Sequence, residues 1–368
     1  LEVGGAGRLQ SGSYAGAITN NGIFKYNSTD AQELSGIISG TGSLEKDNTS
    51  TLTLTGANTY TGTTTVSAGT LQISGAGSLS TSSAVVNNAN LIYGTTIASD
   101  TYGLSSSTTG TGTLTGTAEL IQLNGDITQG TVNLTSGTSG TLHEKGIELV
   151  ADTTITADSI ILTGDLGRSG SKGGTLALDT SATNGAITLD VSIGRSGAWF
   201  GFDSFTADAG TGTLTVSGAN AGSGGWRGTS SASLTGTLDI SSSFSLSGTG
   251  AGSLDLTATG NSSVSGNLGL ANTTNTWTVN PGLTMDVSGA ISGTDAAITK
   301  NGTGTLTLSG ANTYTGITTI TTGTLQLGDG TDGNDGTIAG ASIVNNADLT
   351  YNRFGTASYG GVISGSGT

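Results

Sequence analysis

The chain has 368 residues, of which 65 are Gly, one is Pro and none is Cys. Gly without a period of three, and almost no Pro, excludes collagen; the lack of Cys excludes a disulfide framework and Cys-bound zinc. Ten basic residues against 25 acidic ones give a net charge of −15, so there is no basic footprint for a nucleic acid.

In chain order, the first element is Asn20-Asn21-Gly22-Ile23-Phe24-Lys25-Tyr26, whose pattern returns as Asn87–Tyr93 and Asn345–Tyr351. Next comes Thr51-Leu52-Thr53-Leu54-Thr55, a period-two segment with its Leu on one face and its Thr on the other. Leu52/Leu54 recur as Leu71/Ile73 and again as Leu91/Tyr93, with steps of 19 and 20. The same series recurs as Leu306/Leu308, Leu325/Leu327 and Leu349/Tyr351, with steps of 19 and 24. Gly-Ala-Asn, Ser-Ala-Gly and Asn-Asn turns separate the segments, and these residues tolerate φ > 0.

A five-residue strand with two apolar residues buries little unless the next equivalent strand stacks on it. Steps of 19–24 residues therefore predict an all-β solenoid, a parallel β-helix of roughly 17 coils of ~22 residues stacked ~4.8 Å apart. The rival is an antiparallel sandwich array, whose hairpin turns would recur every 8–12 residues; Asn124-Gly125, Asn184-Gly185 and Asn301-Gly302 are spaced irregularly. Residues 1–368 are read as one continuous solenoid. Repeat copies lie near 33–93 and 287–351, with a more irregular middle over 115–285. Both ends cut through a repeat, so the chain is read as a fragment of a longer one. Leu52, Leu54, Leu71, Ile73, Leu306, Leu308, Leu325 and Leu327 are expected to be buried. Thr307, Thr51/Thr53/Thr55 and Thr63/Thr64/Thr65 are expected to point outward. Irregular coils argue against an ice-binding Thr lattice. With no run of 18 apolar residues, no segment is expected to span a membrane as a helix, and no signal peptide is visible.

The pattern Gly-Thr-Gly-x-Leu-x-Leu-x-Gly-Ala-Asn-Thr-Tyr-Thr-Gly, continued to Gly-Thr-Leu-Gln, resembles the autotransporter-associated β-strand repeat. It is strong over residues 40–73 and 293–327 and weaker over 110–116 and 210–220. That family marks passenger regions of type V secreted proteins of Gram-negative bacteria. The resemblance implies a right-handed parallel β-helix outside the cell, as in adhesins, self-associating proteins and matrix fibres. Partners so implied are a host or neighbouring-cell surface, a matrix glycan or protein, or further copies of the chain. No translocator barrel is visible in the sequence.

Catalysis finds little support. His143, the sole His, stands in His143-Glu144-Lys145 without a placed triad. The carboxylate motifs of polysaccharide-cleaving β-helices are absent. A polysaccharide-acting enzyme is the weaker alternative, and no cofactor is expected. Gly328–Gly336 carries Asp329, Asp332 and Asp335, oxygen donors of the kind Ca²⁺ takes. The offset between copies grows from 254 at Leu71/Leu325 to 258 at Asn87/Asn345, so the plainer reading is a four-residue solvated insertion. Finally, Gly-Arg-Ser-Gly occurs around Arg168 and again around Arg195, a step of 27, followed by Trp199, Phe200, Phe202, Trp226 and Arg227. Aromatic faces with Arg donors suit a glycan or protein partner, so these seven residues form the candidate contact surface. The alternative is a wider stretch of core.

Overall fold

The computed structural model describes residues 1–80, 83–95, 100–104, 107–137, 145–169, 174–193, 199–200, 202–217, 231–245, 252–271, 273–338, 342–355 and 359–368. Among the described residues, apart from a turn of 3-10 helix at Gln10–Gly12, the regular elements are strands. The chain divides into two units, Leu1–Ser169 and Gly170–Thr368.

In the first unit strands pair in parallel with their counterparts in neighbouring coils, most of them on both sides. One ladder runs through Glu2–Gly5, Ile23–Ser28, Ser43–Lys46, Thr64–Val66, Val85–Asn87, Ser107–Thr109, Asp126–Ser136 and Thr153–Ser169. A second ladder puts Leu52, Leu71, Leu91, Leu114, Val132 and Ile160 in register. All six are fully buried, so the unit's core is a column of like residues. A third, shorter ladder aligns Tyr102, Ile121, Ile147 and Leu166. This is a β-solenoid, and the parallel register leaves no hairpin for the rival sandwich to use. One column needs a gap: Tyr93 stands in register with Gly116. A Cβ there would lie 2.9 Å from Leu134 Cδ2 and 3.1 Å from Ile121 Cδ1, so the glycine leaves room for the leucine that stands in register with it one coil on.

The second unit is built the same way. Ile240, Val264, Val287, Leu308 and Leu327 form one column. Leu256, Trp277, Lys300 and Ile320 form another. The repeat steps of 19 and 24 are the observed register, Leu306 on Leu325 and Leu325 on Leu349. All eight apolar residues expected inside are buried. Coil length is not uniform, however. Leu176 stands on Phe205 and Phe205 on Ala232, steps of 29 and 27, before Ala232 on Leu254 returns to 22.

Two outward assignments are corrected. Thr64 is fully buried, because its strand runs Thr64–Val66 with the first and third residues inward. Its hydroxyl meets the Tyr60 phenol at 2.6 Å. Thr307 is only 7% exposed; in register it lies between the longer Asp286 and Gln326.

Turns close as their composition dictates. Gly69 and Gly323 sit at φ +69° and +72°, where a Cβ would lie 2.3 Å from Asn48 O and 2.4 Å from Gly302 O respectively. Only Gly fits the corner that precedes each Thr-Leu-Gln strand.

Candidate functional site

The two repeat copies share a set of corner devices. At the Gly-Ala-Asn corner, Asn58 Oδ1 accepts the Ile38 amide at 2.9 Å and Asn312 Oδ1 accepts the Ile291 amide at 3.0 Å. Asn58 Nδ2 also donates to Gly56 O and Ser78 O. In each copy a buried tyrosine meets a buried threonine four residues on, Tyr60 with Thr64 and Tyr314 with Thr318. Burial pushes both phenols up from their ordinary range.

The third device has no counterpart among the sequence expectations. Lys46 and Lys300 are fully buried, and each Nζ donates to three backbone carbonyls. Lys46 reaches Asp47 O, Asn48 O and, 22 residues on, Ala68 O at 2.7, 2.7 and 3.1 Å. Lys300 reaches Asn301 O, Gly302 O and Thr322 O at 2.8, 2.7 and 3.2 Å. Three donors meet three carbonyls that the turn leaves unpaired. Burial carries both ammonium groups down to about 8, with the Asp47 carboxylate opposing at Lys46. The signal was present in the alternation of Leu44-Glu45-Lys46 and Ile298-Thr299-Lys300, which puts each Lys on the face of an inward residue.

The Asn-Asn element is a further corner. Asn20, Asn87 and Asn345 each accept the amide two residues on at 3.2 Å and donate to a carbonyl 23 to 26 residues on. These devices fix coil shape. They present no reactive group to solvent.

The candidate contact residues are placed only in part. Arg168 is the penultimate residue of the strand Thr153–Ser169, and Trp199 and Phe200 form a short strand; the side chains of all three lie outside the described residues. Arg195, Trp226 and Arg227 lie outside them altogether. Phe202 is corrected. It is fully buried and stacks on Phe205, ring centroids 6.0 Å apart with planes at 24°. Phe205, Ala207 and Ala209 alternate inward along Ser204–Val216, and Phe202 is buried by stacking on the first of them, so it is not a contact residue.

His143 and Glu144 also fall outside the described residues, whereas Lys145 pairs with Glu119. At the acidic corner, Asp329 accepts the Thr331 amide at 2.9 Å, the Thr331 hydroxyl, and Asn334 Nδ2 at 2.9 Å. These bonds hold its carboxyl below the usual range. Asp335 turns the other way and accepts the Phe354 amide at 2.9 Å. Asp332 is exposed and joins neither. Among the described residues no three such acids converge on one point.

The passenger-associated-transport-repeat family matches residues 44–73, 208–227 and 298–327. Its first and third matches hold the Lys, Asn and Tyr–Thr devices just described. The chain carries the repeats of an autotransporter passenger region. It is also similar to the adhesin BmaC autotransporter of Brucella suis biovar 1 (strain 1330), with 58% identity over 55 residues. That alignment covers 15% of this chain and 2% of the adhesin. No solved structure matches the chain. Autotransporter passengers are exported, which implies a cell-surface or secreted location in a Gram-negative bacterium. No helix among the described residues is long and apolar enough to cross a membrane.

Proposed function

We propose that this passenger segment is a non-enzymatic adhesin element, a stalk or matrix fibre component whose work is mechanical. Its supporting observation is the stacked ladder itself. Corresponding Lys, Asn and Tyr–Thr devices recur in both repeat copies, and successive coils are tied by parallel backbone pairing. Such a ladder resists extension because many hydrogen bonds must break together, and the net charge of −15 limits nonspecific association. The similarity to an autotransporter adhesin over 55 residues supports the same reading. The test is adhesion of beads coated with residues 1–368 to epithelial monolayers and to one another. Adhesion above albumin-coated beads is expected; adhesion at the albumin level refutes the adhesin reading.

A second reading places a specific contact surface on the Arg168, Arg195, Trp199, Phe200, Trp226 and Arg227 stretch. It is favoured by the register steps of 29 and 27 there, because stacking fixes the strands and leaves the extra length to the turns.

A further inference from the structure

The first unit carries a groove that none of the corner devices requires. It lies between the Asn58–Thr59 corner and the strands Thr101–Gly103 and Leu120–Leu123, with a volume of about 430 Å³. Its walls include Asn58, Thr59, Ser78, Thr101 and Gln122, with the nearly buried Leu79 behind them. Among the described residues no charged side chain lines it.

The polar walls are held before any ligand arrives. Asn58 is 4% exposed, and the three bonds given above fix it against Ile38, Gly56 and Ser78. Gln122 stands in register between Gly103 and Glu148. Its Nε2 donates to Glu148 Oε2 at 2.8 Å, and Glu148 is only 8% exposed. A carboxylate can only accept, so this bond sets which end of the Gln122 amide faces it. The amide carbonyl is left as an acceptor. Leu104 N donates to Gln122 O at 2.8 Å, which fixes the backbone beneath.

We propose that this groove is a subsite for a neutral glycan, a di- or trisaccharide segment of an uncharged polysaccharide or surface glycan. Several hydroxyls and an oriented amide match the mixed donors and acceptors of a pyranose. A charged ligand would lose its hydration to walls with no counter-charge, and the net charge of −15 repels uronate or sialate chains. A peptide would want a free strand edge or a deep apolar anchor pocket; these walls provide one leucine. The volume falls within the ~300–1,000 Å³ of small-molecule sites. The glycan's role in attachment rests on the adhesin reading above, while the binding itself does not.

The test is saturation-transfer NMR on residues 1–368 with maltotriose, cellotriose, chitotriose and mannotriose, and with trigalacturonate as the acidic comparator. Each is used at about 10 mM, above the millimolar Kd expected of a shallow polar site. Transfer from at least one neutral trisaccharide is expected. Thr59→Arg, which fills the groove from an exposed position, should weaken it about tenfold. Thr313→Arg, the same corner one repeat copy later, should leave it unchanged. Thr59 and Thr313 donate their amides to Ile38 O and Ile291 O alike. Thr101→Arg replaces Thr59→Arg if that variant melts early. No transfer from any neutral trisaccharide, or equal binding by Thr59→Arg, overturns the proposal, as does trigalacturonate binding as well as the neutral sugars. Beads that fail to adhere while the trisaccharide binds would refute the adhesin reading and leave the groove standing.

Discussion

Leu71→Ala is the sharpest test of the column core. Leu71 is fully buried, with Leu52 and Leu91 in register on either side. The substitution removes three carbons, about 2.4 kcal/mol at ~0.8 kcal/mol per buried CH₂. The cavity adds to that when the surroundings cannot collapse. Here they are restrained, because four register pairs on each side hold the neighbouring strands at ladder spacing. The expected loss is therefore about 4 kcal/mol, toward the upper end for buried Leu→Ala. Gln72 stands one residue along and is only half-buried; Gln72→Ala should cost within about 0.5 kcal/mol. Stacked coils can open locally, so amide hydrogen exchange at residues 52–54, 71–73 and 91–93 is the assay. Leu71→Ala should lower the local opening free energy there and spare residues 2–5. Equal loss from Leu71→Ala and Gln72→Ala, or less than about 1 kcal/mol from Leu71→Ala, refutes the column core.

Two further outcomes are expected. Lys46→Met keeps the stem but leaves the carbonyls of Asp47, Asn48 and Ala68 without their donor, which should cost about 2–4 kcal/mol in chemical denaturation; a neutral effect would show that water replaces the ammonium. Because burial puts the folded pKa near 8 against 10.5 unfolded, the unfolded chain binds more protons between those values. Wild type should gain stability over Lys46→Met as pH rises through that window, which melts in matched buffers would show. At the acidic corner, the bonds already made by Asp329 and Asp335 predict a melting temperature that does not respond to Ca²⁺. Removing four residues from 329–335 should leave the hydrogen exchange of residues 324–327 unchanged, whereas a strong Ca²⁺-dependent rise that the deletion abolishes would establish a metal site.

The coil was legible because two signals coincide. Alternation within Thr51–Thr55 fixes which side is inward, and its recurrence at Leu71/Ile73 and Leu91/Tyr93 fixes what stacks on it. Neither signal needs a family. The contact surface was less legible for a reason Phe202 makes concrete. Trp199, Phe200 and Phe202 read alike as aromatics near Arg195, but a local window carries no register. Only pairing with Thr175–Asp179 and Ser231–Ile240 shows that residues 204–208 are a full rung. That rung brings Phe205, and Phe202 stacked on it, inside.

The buried lysines mark where alternation fails as a guide to burial. The rule equates an inward position with an apolar side chain, because an inward polar head usually lacks partners. A solenoid corner breaks that assumption. Its turn leaves carbonyls for a side chain to pair with, and one four carbons long can leave the apolar column and end among them. Lys46 does so from a rung between Tyr26 and Val66, and Lys300 from one between Trp277 and Ile320. In each case one of the three carbonyls belongs to a turn 22 residues on. The ammonium thus ties successive coils where backbone pairing is interrupted. A shorter polar residue at that rung would satisfy the same alternation and could not reach the carbonyls, so length as well as polarity decides which polar residues a solenoid can turn inward.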